Sequence, residues 1–308
     1  MTRYVAKRVA YMLVTLFVIA SITFFISKLL PGTPFADDKL TPQIRAQLFA
    51  KYGLDEPLTV QYAKYMLNVA QGDLGNSFYF ESRPVTQMIL KGLPVSMFVG
   101  VQAVIFGLVV GLVLGIVAAL RHNTLWDTVA VVLAVVGVSV PTFVLGPLLQ
   151  YWLGVKLGLF PIAFFESWMH SVLPSLALSV FVISTVARFI RSEMLEVMGQ
   201  DYITLARAKG LSGLAVIIRH VLRNSLIPLV TVLAPLTVYV ITGSLVVEQI
   251  FAVPGIGEMF VTSVFVSDYS MILGTTLFFS VMFILALLIQ DILYGVIDPR
   301  IRVSGAKE

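Results

Sequence analysis

Reactive side chains are scarce in this sequence. It has no cysteine, which removes thiolate nucleophiles, disulfides and Cys-based metal sites. His122, His170 and His220 are its only histidines, and their scatter gives no metal-ligand spacing. A phosphate-binding loop needs Gly, four residues, Gly, Lys and then Ser or Thr, and no such run is present. No series of Asp, Glu or His within an apolar block offers a proton relay. What remains is polar stripes at near-helical spacing. Thr231, Pro235, Tyr239, Thr242 and Gln249 form one, and Ser139, Thr142, Gly146 and Gln150 form a second. Ser171, Ser175 and Ser179 form a third. Such groups hydrogen-bond either to a neighbouring helix or to a solute passing along a pathway, and the spacing allows both. Glu248 stands apart, a carboxylate placed either to attract an amino group or to face water. This chemistry is that of binding and passage, and a non-catalytic protein is expected.

The elements that carry these residues are membrane helices. Of 308 residues 58% are hydrophobic and 12% charged, against about 25% charged in a soluble domain. The apolar residues come in blocks near the roughly 20 residues a helix needs to cross a bilayer. Backbone groups in lipid must be satisfied internally, which makes an all-α integral membrane fold the expectation. Six spans are predicted: Val9 to Leu30, Pro94 to Leu120, Asp127 to Leu153 with Pro141 inside, Ser171 to Ile190, Ile227 to Val247, and Met271 to Ile297. The net charge of +4 has a membrane explanation and implies no nucleic acid. With the N-terminus cytoplasmic, Arg3, Lys7, Arg8, Arg121, Arg188, Arg191, Arg207, Lys209, Arg219, Arg223, Arg300, Arg302 and Lys307 fall inside. The short outer loops then hold only Lys156, so both termini are expected in the cytoplasm.

The whole of residues 1–308 reads as one transmembrane domain with two long loops. Residues 31–93 are extracytoplasmic, with six basic and six acidic residues. There Thr41 caps a helix that begins at Pro42 and stops at Gly53, and Leu58, Tyr62, Met66 and Val69 recur at helical spacing before Gly72. This loop suits a lid or a docking surface for another protein. Residues 191–226 are cytoplasmic. In them Asp201 is expected to cap a short helix, Tyr202 to Lys209, that Gly210 ends. Ser212 then caps a second, with Leu214, Ile217, Val221 and Leu222 on one side. The first helix is either a lever that a partner pushes or a basic helix resting on lipid headgroups. Gly100, Ala103, Gly107, Gly111 and Ala118 make a ridge suited to close helix contact. Asp127 and Asp291 are expected to reach water, and Lys28 to extend outward to it.

At the cytoplasmic loop a family resemblance becomes specific. Asp201-Tyr202-Ile203-Thr204-Leu205-Ala206-Arg207-Ala208-Lys209-Gly210-Leu211, continuing to Arg219-His220-Val221-Leu222-Arg223-Asn224, resembles the signature of peptide-type ABC transporter permeases. Their superfamily pattern is Glu-Ala-Ala, three residues, Gly. Gly210 and Ala206 keep it, while Thr204 and Leu205 depart from it as the peptide and nickel branch does. Leu30-Pro31-Gly32-Thr33-Pro34, Gly53-Leu54-Asp55-Glu56-Pro57, Gly72-Asp73-Leu74-Gly75-Asn76-Ser77, Glu248-Gln249-Ile250-Phe251, Pro254-Gly255-Ile256-Gly257 and Asp298-Pro299-Arg300 are similar to the same branch. The resemblance is closest to the first permease subunit of oligopeptide and dipeptide importers. It implies a second homologous permease, two cytoplasmic ATPase subunits that hold ATP and Mg, and an extracytoplasmic substrate-binding protein, all in a bacterial cytoplasmic membrane. This chain would bind no cofactor. Asp201, Tyr202, Ala206, Arg207, Ala208, Lys209, Gly210 and Leu211 would couple to an ATPase, with Ala206 on the contact side. Ser139, Thr142, Gln150, Thr231, Pro235, Tyr239, Thr242 and Glu248 are the pathway candidates. The same machinery in this branch also serves nickel, glutathione and other small solutes. A self-sufficient secondary transporter or channel would require intramembrane ionisable residues or inverted repeats, and neither is found.

Overall fold

The computed structural model describes residues 2–29, 35, 41–242 and 244–297, with side chains described from residue 8 to residue 292 of these. The Leu30 to Pro34 and Asp298 to Arg300 motifs lie outside the described residues. Among the described residues the regular elements are helices, joined by turns and irregular segments, with one isolated bridge between Asn76 and Pro84. They divide into two compact units.

The first unit comprises Met1–Ser96 and Pro254–Ile284. It opens with α1 (Thr2–Ser27), followed by α2 (Pro42–Tyr52) and α3 (Leu58–Ala70). The sequence signals for α2 act as expected. Thr41 Oγ1 accepts from Ile44 N–H at 3.4 Å, Pro42 takes the first position, and Gly53 leaves the helix at φ +64°. Helix α3 lies on α1, where Ser21 and Tyr62 hydroxyls pair at 2.7 Å and the Phe24 and Tyr65 rings stack at 5.4 Å. Lys28 is half-buried. Its Nζ donates to Gln61 Oε1 at 2.7 Å and lies 5.1 Å from the centre of the Tyr269 ring.

Helix α4 (Val85–Leu120) begins nine residues before the predicted Pro94. Pro94 lies inside the helix. At 36 residues it is about 54 Å long, well over the roughly 30 Å of bilayer hydrocarbon. Its first turns pack with α12 (Ile256–Phe265) and the start of α13 (Tyr269–Ile297) around Val85, Met88, Ile89, Ile256 and Met271. Ser96 Oγ accepts from Ile256 N–H at 2.9 Å, satisfying a donor that the start of α12 leaves open. Residues 73–84 form a strap across this unit. Asp268 pins it: its buried carboxyl accepts from the Ser77 hydroxyl, from Tyr79 N–H at 3.2 Å, and from Met271 N–H at 3.2 Å.

The second unit comprises Met97–Val253 and Leu285–Glu308. Its centre is α7 (Val172–Met198), the most buried of the long apolar helices. The small-residue ridge of α4 packs there as expected. A Cβ built on Gly111 would stand 2.8 Å from Val186 Cβ, and one on Gly115 2.7 Å from the Ala187 carbonyl. Helix α5 (Leu125–Ser139) packs along α7 as well.

The third predicted span is not one straight helix. Val140 is extended at ψ 116°, the conformation that a residue before proline favours. Helix α6 (Thr142–Leu149) starts after Pro141 and runs into a π-helical segment, Gln150–Lys156, at 102° to α5. Helix α7 continues to Met198, beyond the predicted Ile190. After α8 (Asp201–Ala208), the fifth predicted span begins early. Helix α9 (Gly213–Val216), a π-helical segment Ile217–Leu222 and α10 (Arg223–Thr242) form one long apolar run. The helical run thus begins within the segment 191–226.

The segment after Glu248, which lies between two predicted spans, is itself largely helical. Helix α11 (Leu245–Phe251) and α12 are apolar enough to count together as a broken span or a re-entrant loop. Among the described residues five helices are long and apolar enough to cross a membrane, and the two bent pairs raise the count to seven. The protein is a multi-pass membrane protein.

Candidate functional site

Helix α8 is short, so its position depends on tertiary contacts. Ile203 is fully buried and Ala206 is 6% exposed, both turned into the chain's own second unit against α9. Tyr202 Oη accepts from Asn224 Nδ2 at 3.1 Å, which ties α8 to the start of α10. The N-cap is Gln200, not Asp201, which is the first helical residue. Gly210 is left-handed at φ +82°, and its N–H donates to the Arg207 carbonyl at 2.9 Å. Nothing would meet a Cβ there within 4 Å, so only the backbone conformation selects glycine.

Ala206 therefore does not lie on an outer contact face. The outward residues are Tyr202, Thr204, Leu205, Arg207, Ala208 and Lys209, with Leu205 55% exposed. Leu211 and Leu214 continue the uncovered apolar surface. Leu214 thus parts from Val221, which is buried, although the sequence grouped them on one side. Ser212 does cap α9, its Oγ accepting from Ala215 N–H at 3.4 Å.

The pathway candidates separate into two groups. Thr142 and Tyr239 meet at a cavity of about 270 Å³ beside the Pro141 break, which Phe143, Phe181 and Val240 also line. Tyr239 is 55% exposed, and its ring stands 5.1 Å from that of Phe181. Ser139 is exposed at the end of α5, and its Oγ donates to the Val135 carbonyl at 2.8 Å. The break at Pro141 turns Thr142 and Gln150 onto a different axis from Ser139. Gln150 is a structural tie, donating from Nε2 to the Ile162 carbonyl at 2.7 Å and the Ile250 carbonyl at 3.2 Å. Thr231 is buried and donates to the Pro228 carbonyl at 2.5 Å. Pro235 is half-buried within α10. Thr242, also half-buried, donates to the Val238 carbonyl at 2.8 Å. The one face inferred from spacing thus mixes buried and exposed positions, running from buried Thr231 to exposed Tyr239.

The serines of α7 take the packing role that the sequence left open. Ser171 and Ser175 donate to Gln102 Oε1 at 2.7 and 3.0 Å, joining α7 to α4. Glu248 does not face water. It is fully buried in α11 and accepts from Ser244 Oγ at 2.6 Å.

Asp127 also fails to reach water. It is 4% exposed and grips Arg191, which donates from Nε to Oδ1 at 2.6 Å and from an Nη to Oδ2 at 2.9 Å. Asn123 N–H donates to the same carboxyl at 3.0 Å, and His122 Nδ1 lies 3.0 Å away. The only sequence signal for this pair was opposite charge at the facing ends of two consecutive spans. Charge type cannot show that side chains 64 residues apart converge.

These features define a membrane component of a transport system. The chain belongs to the family described as binding-protein-dependent transport system inner membrane component, which residues 111–303 match. Residues 1–99 match the N-terminal part of such membrane components. The chain is 44% identical to the dipeptide transport system permease protein DppB of Lactococcus lactis over 303 residues, 98% of this chain and 100% of the relative. It is 37% identical to the oligopeptide transport system permease protein OppB of Escherichia coli K12 over 305 residues, with 98% and 100% covered. The fold is similar to that of a chain of the MetNI methionine ABC transporter, with a TM-score of 0.56 at 15% identity, covering 69% of this chain and 97% of the other. An amino acid ABC transporter gives 0.52 at 16% identity, covering 70% and 94%.

Proposed function

We propose that this chain is one of two permease subunits of an ATP-driven importer of dipeptides or oligopeptides in a bacterial cytoplasmic membrane, with both termini cytoplasmic. Peptides are the class named for its full-length relatives. The structural observation that carries the coupling role is helix α8. Its inner side is sealed into the chain by Ile203 and Ala206, while Tyr202, Leu205 and Leu211 are left uncovered. An apolar surface on a helix too short to stand alone suits a protein groove better than water. In this reading two cytoplasmic ATPases hold ATP and Mg and press on α8, and a second homologous permease supplies the other wall of the pathway. An extracytoplasmic binding protein delivers the peptide. The cavity lined by Thr142, Phe181 and Tyr239 forms part of this chain's wall. Its apolar, aromatic surface tolerates varied side chains without binding any of them tightly. The switch is a rigid-body change between two packed states.

The test is uptake by the complex reconstituted in vesicles with its binding protein outside and ATP either enclosed or omitted. Labelled di- and oligopeptides should accumulate only with ATP on the α8 side. Accumulation of nickel or glutathione in place of peptide, or uptake without ATP, would overturn the reading.

A further inference from the structure

We propose that Asp127 and Arg191 are positioning residues for transport, a clamp that makes α5 follow α7 and so carries motion of α8 to the Pro141 break. The inference rests on the importer reading and adds how force reaches the pathway wall. Helix α7 runs to Met198 and only Gly199 and Gln200 separate it from α8, so displacement of α8 is passed first to α7. Helix α5 has no such direct connection to α8.

Two contacts lock α5 to α7. At one end Arg191 holds Asp127 with both arms of its guanidinium, at 2.6 and 2.9 Å. A bidentate pair fixes direction as well as distance, which a single hydrogen bond does not. The carboxyl is 4% exposed, and Asn123 N–H at 3.0 Å anchors it to the turn before α5. At the other end Gly137 lies so close to α7 that an added Cβ would overlap Ser184 Oγ and stand 2.9 Å from Val180. The ten residues between Asp127 and Gly137 span about 15 Å of helix. Held at two points that far apart, α5 can neither slide nor swivel independently of α7. The first break in the helix beyond the clamp is Val140–Pro141, where the chain turns by 102° into α6. Both Pro141 and Thr142 line the cavity.

A purely structural ion pair would matter only because breaking it strands a buried charge. Removing both charges together relieves that penalty, but an amide pair lacks the two-armed grip. The test therefore uses Asp127→Asn and the double variant Asp127→Asn with Arg191→Gln, in the assembled complex. Thr142→Cys serves as a reporter in a chain with no other cysteine. Its labelling by a water-soluble maleimide is measured without nucleotide and with ATP trapped, alongside basal ATP hydrolysis and peptide uptake.

In the unaltered background the labelling rate should change with nucleotide. In the double variant membrane level and basal hydrolysis should match the parent, while the nucleotide-dependent change at Thr142→Cys and the uptake are lost. Asp127→Asn alone should lose both and also show a lower membrane level. A double variant that restores level, uptake and the labelling change together would overturn the clamp and leave a structural pair. Labelling that is blind to nucleotide even in the unaltered background would overturn the importer reading, and the clamp with it.

Discussion

Gly107 of α4 faces Val182 of α7 so closely that a Cβ built on the glycine would stand 2.5 Å from the Val182 Cβ. The Ser179 carbonyl lies 3.1 Å from the same point, so backbone as well as side chain blocks the space. Gly107→Leu should therefore force the two helices apart, a misfit of the kind that costs about 1–3 kcal/mol or more. Thermal unfolding in detergent should show a lower Tm and membrane extracts less protein. Adding Val182→Gly to Gly107→Ala should recover part of the loss, because it removes both Val182 atoms that the new methyl would meet and leaves only the Ser179 carbonyl. No recovery would place the damage elsewhere.

Two adjacent residues of α8 should behave oppositely. Leu205 points outward and Ala206 inward. Leu205→Glu should leave membrane level unchanged and reduce uptake and copurification of the ATPases. Ala206→Glu should bury an unpaired charge and lower the amount of folded protein, a change that typically costs several kcal/mol. Equal levels of both variants with equal uptake would remove α8 from the coupling role.

The strap at residues 73–84 should depend on Asp268. Asp268→Ala leaves the Ser77 hydroxyl and the Tyr79 and Met271 N–H groups without their shared acceptor. Hydrogen bonds to a carboxylate are worth about 1.5–3 kcal/mol each when a partner is removed. The expected result is faster protease cleavage within 73–84 than in the parent, at unchanged cleavage elsewhere. Uniform cleavage of the chain would mean that Asp268 supports more than the strap.

Tyr65 offers a pH test in α3, which is not among the candidate membrane spans. Burial, and then the neighbouring Tyr62, push its phenol up to about 12. Because ionisation is harder in the folded state, stability should fall from the ordinary tyrosine range near 10 up to 12 as the unfolded chain loses its proton first. The Tyr65 hydroxyl is buried with no hydrogen-bond partner among the described residues. Tyr65→Phe should therefore cost little at neutral pH, since no bond is lost. It should also flatten the alkaline decline of Tm. A marked loss at neutral pH would reveal a partner for the hydroxyl.

Much was legible in the residues alone, where the deciding physics is local. Long apolar blocks must become helices because lipid offers no hydrogen bonds to the backbone. Thr41, Pro42 and Gly53 bound α2 through contacts within a few residues, and Gly210 needs only its own backbone angle. The ridge on α4 was readable because small residues at helical spacing have few uses besides close packing. Family membership was readable for a different reason: the Ala-Arg-Ala-Lys-Gly stretch and its companion motifs keep their order along the whole chain.

Tertiary structure decided which faces of those helices meet, and there the spacing misled. A helical wheel assumes a straight helix, but Pro141 breaks the third span, so Ser139 and Thr142 part company, and along α10 the neighbours cover Thr231 and leave Tyr239 exposed. Ala206 and Leu205 differ only in rotation about α8, and only the packing of α9 settles which is covered. Charge location misled in the same way. Asp127 and Glu248 lie at span ends where a sequence permits water, yet Arg191 and Ser244 close over them. Residue type and order determine that a helix forms and roughly where it ends. Whether a carboxylate is solvated or clamped depends on partners that arrive from elsewhere in the chain.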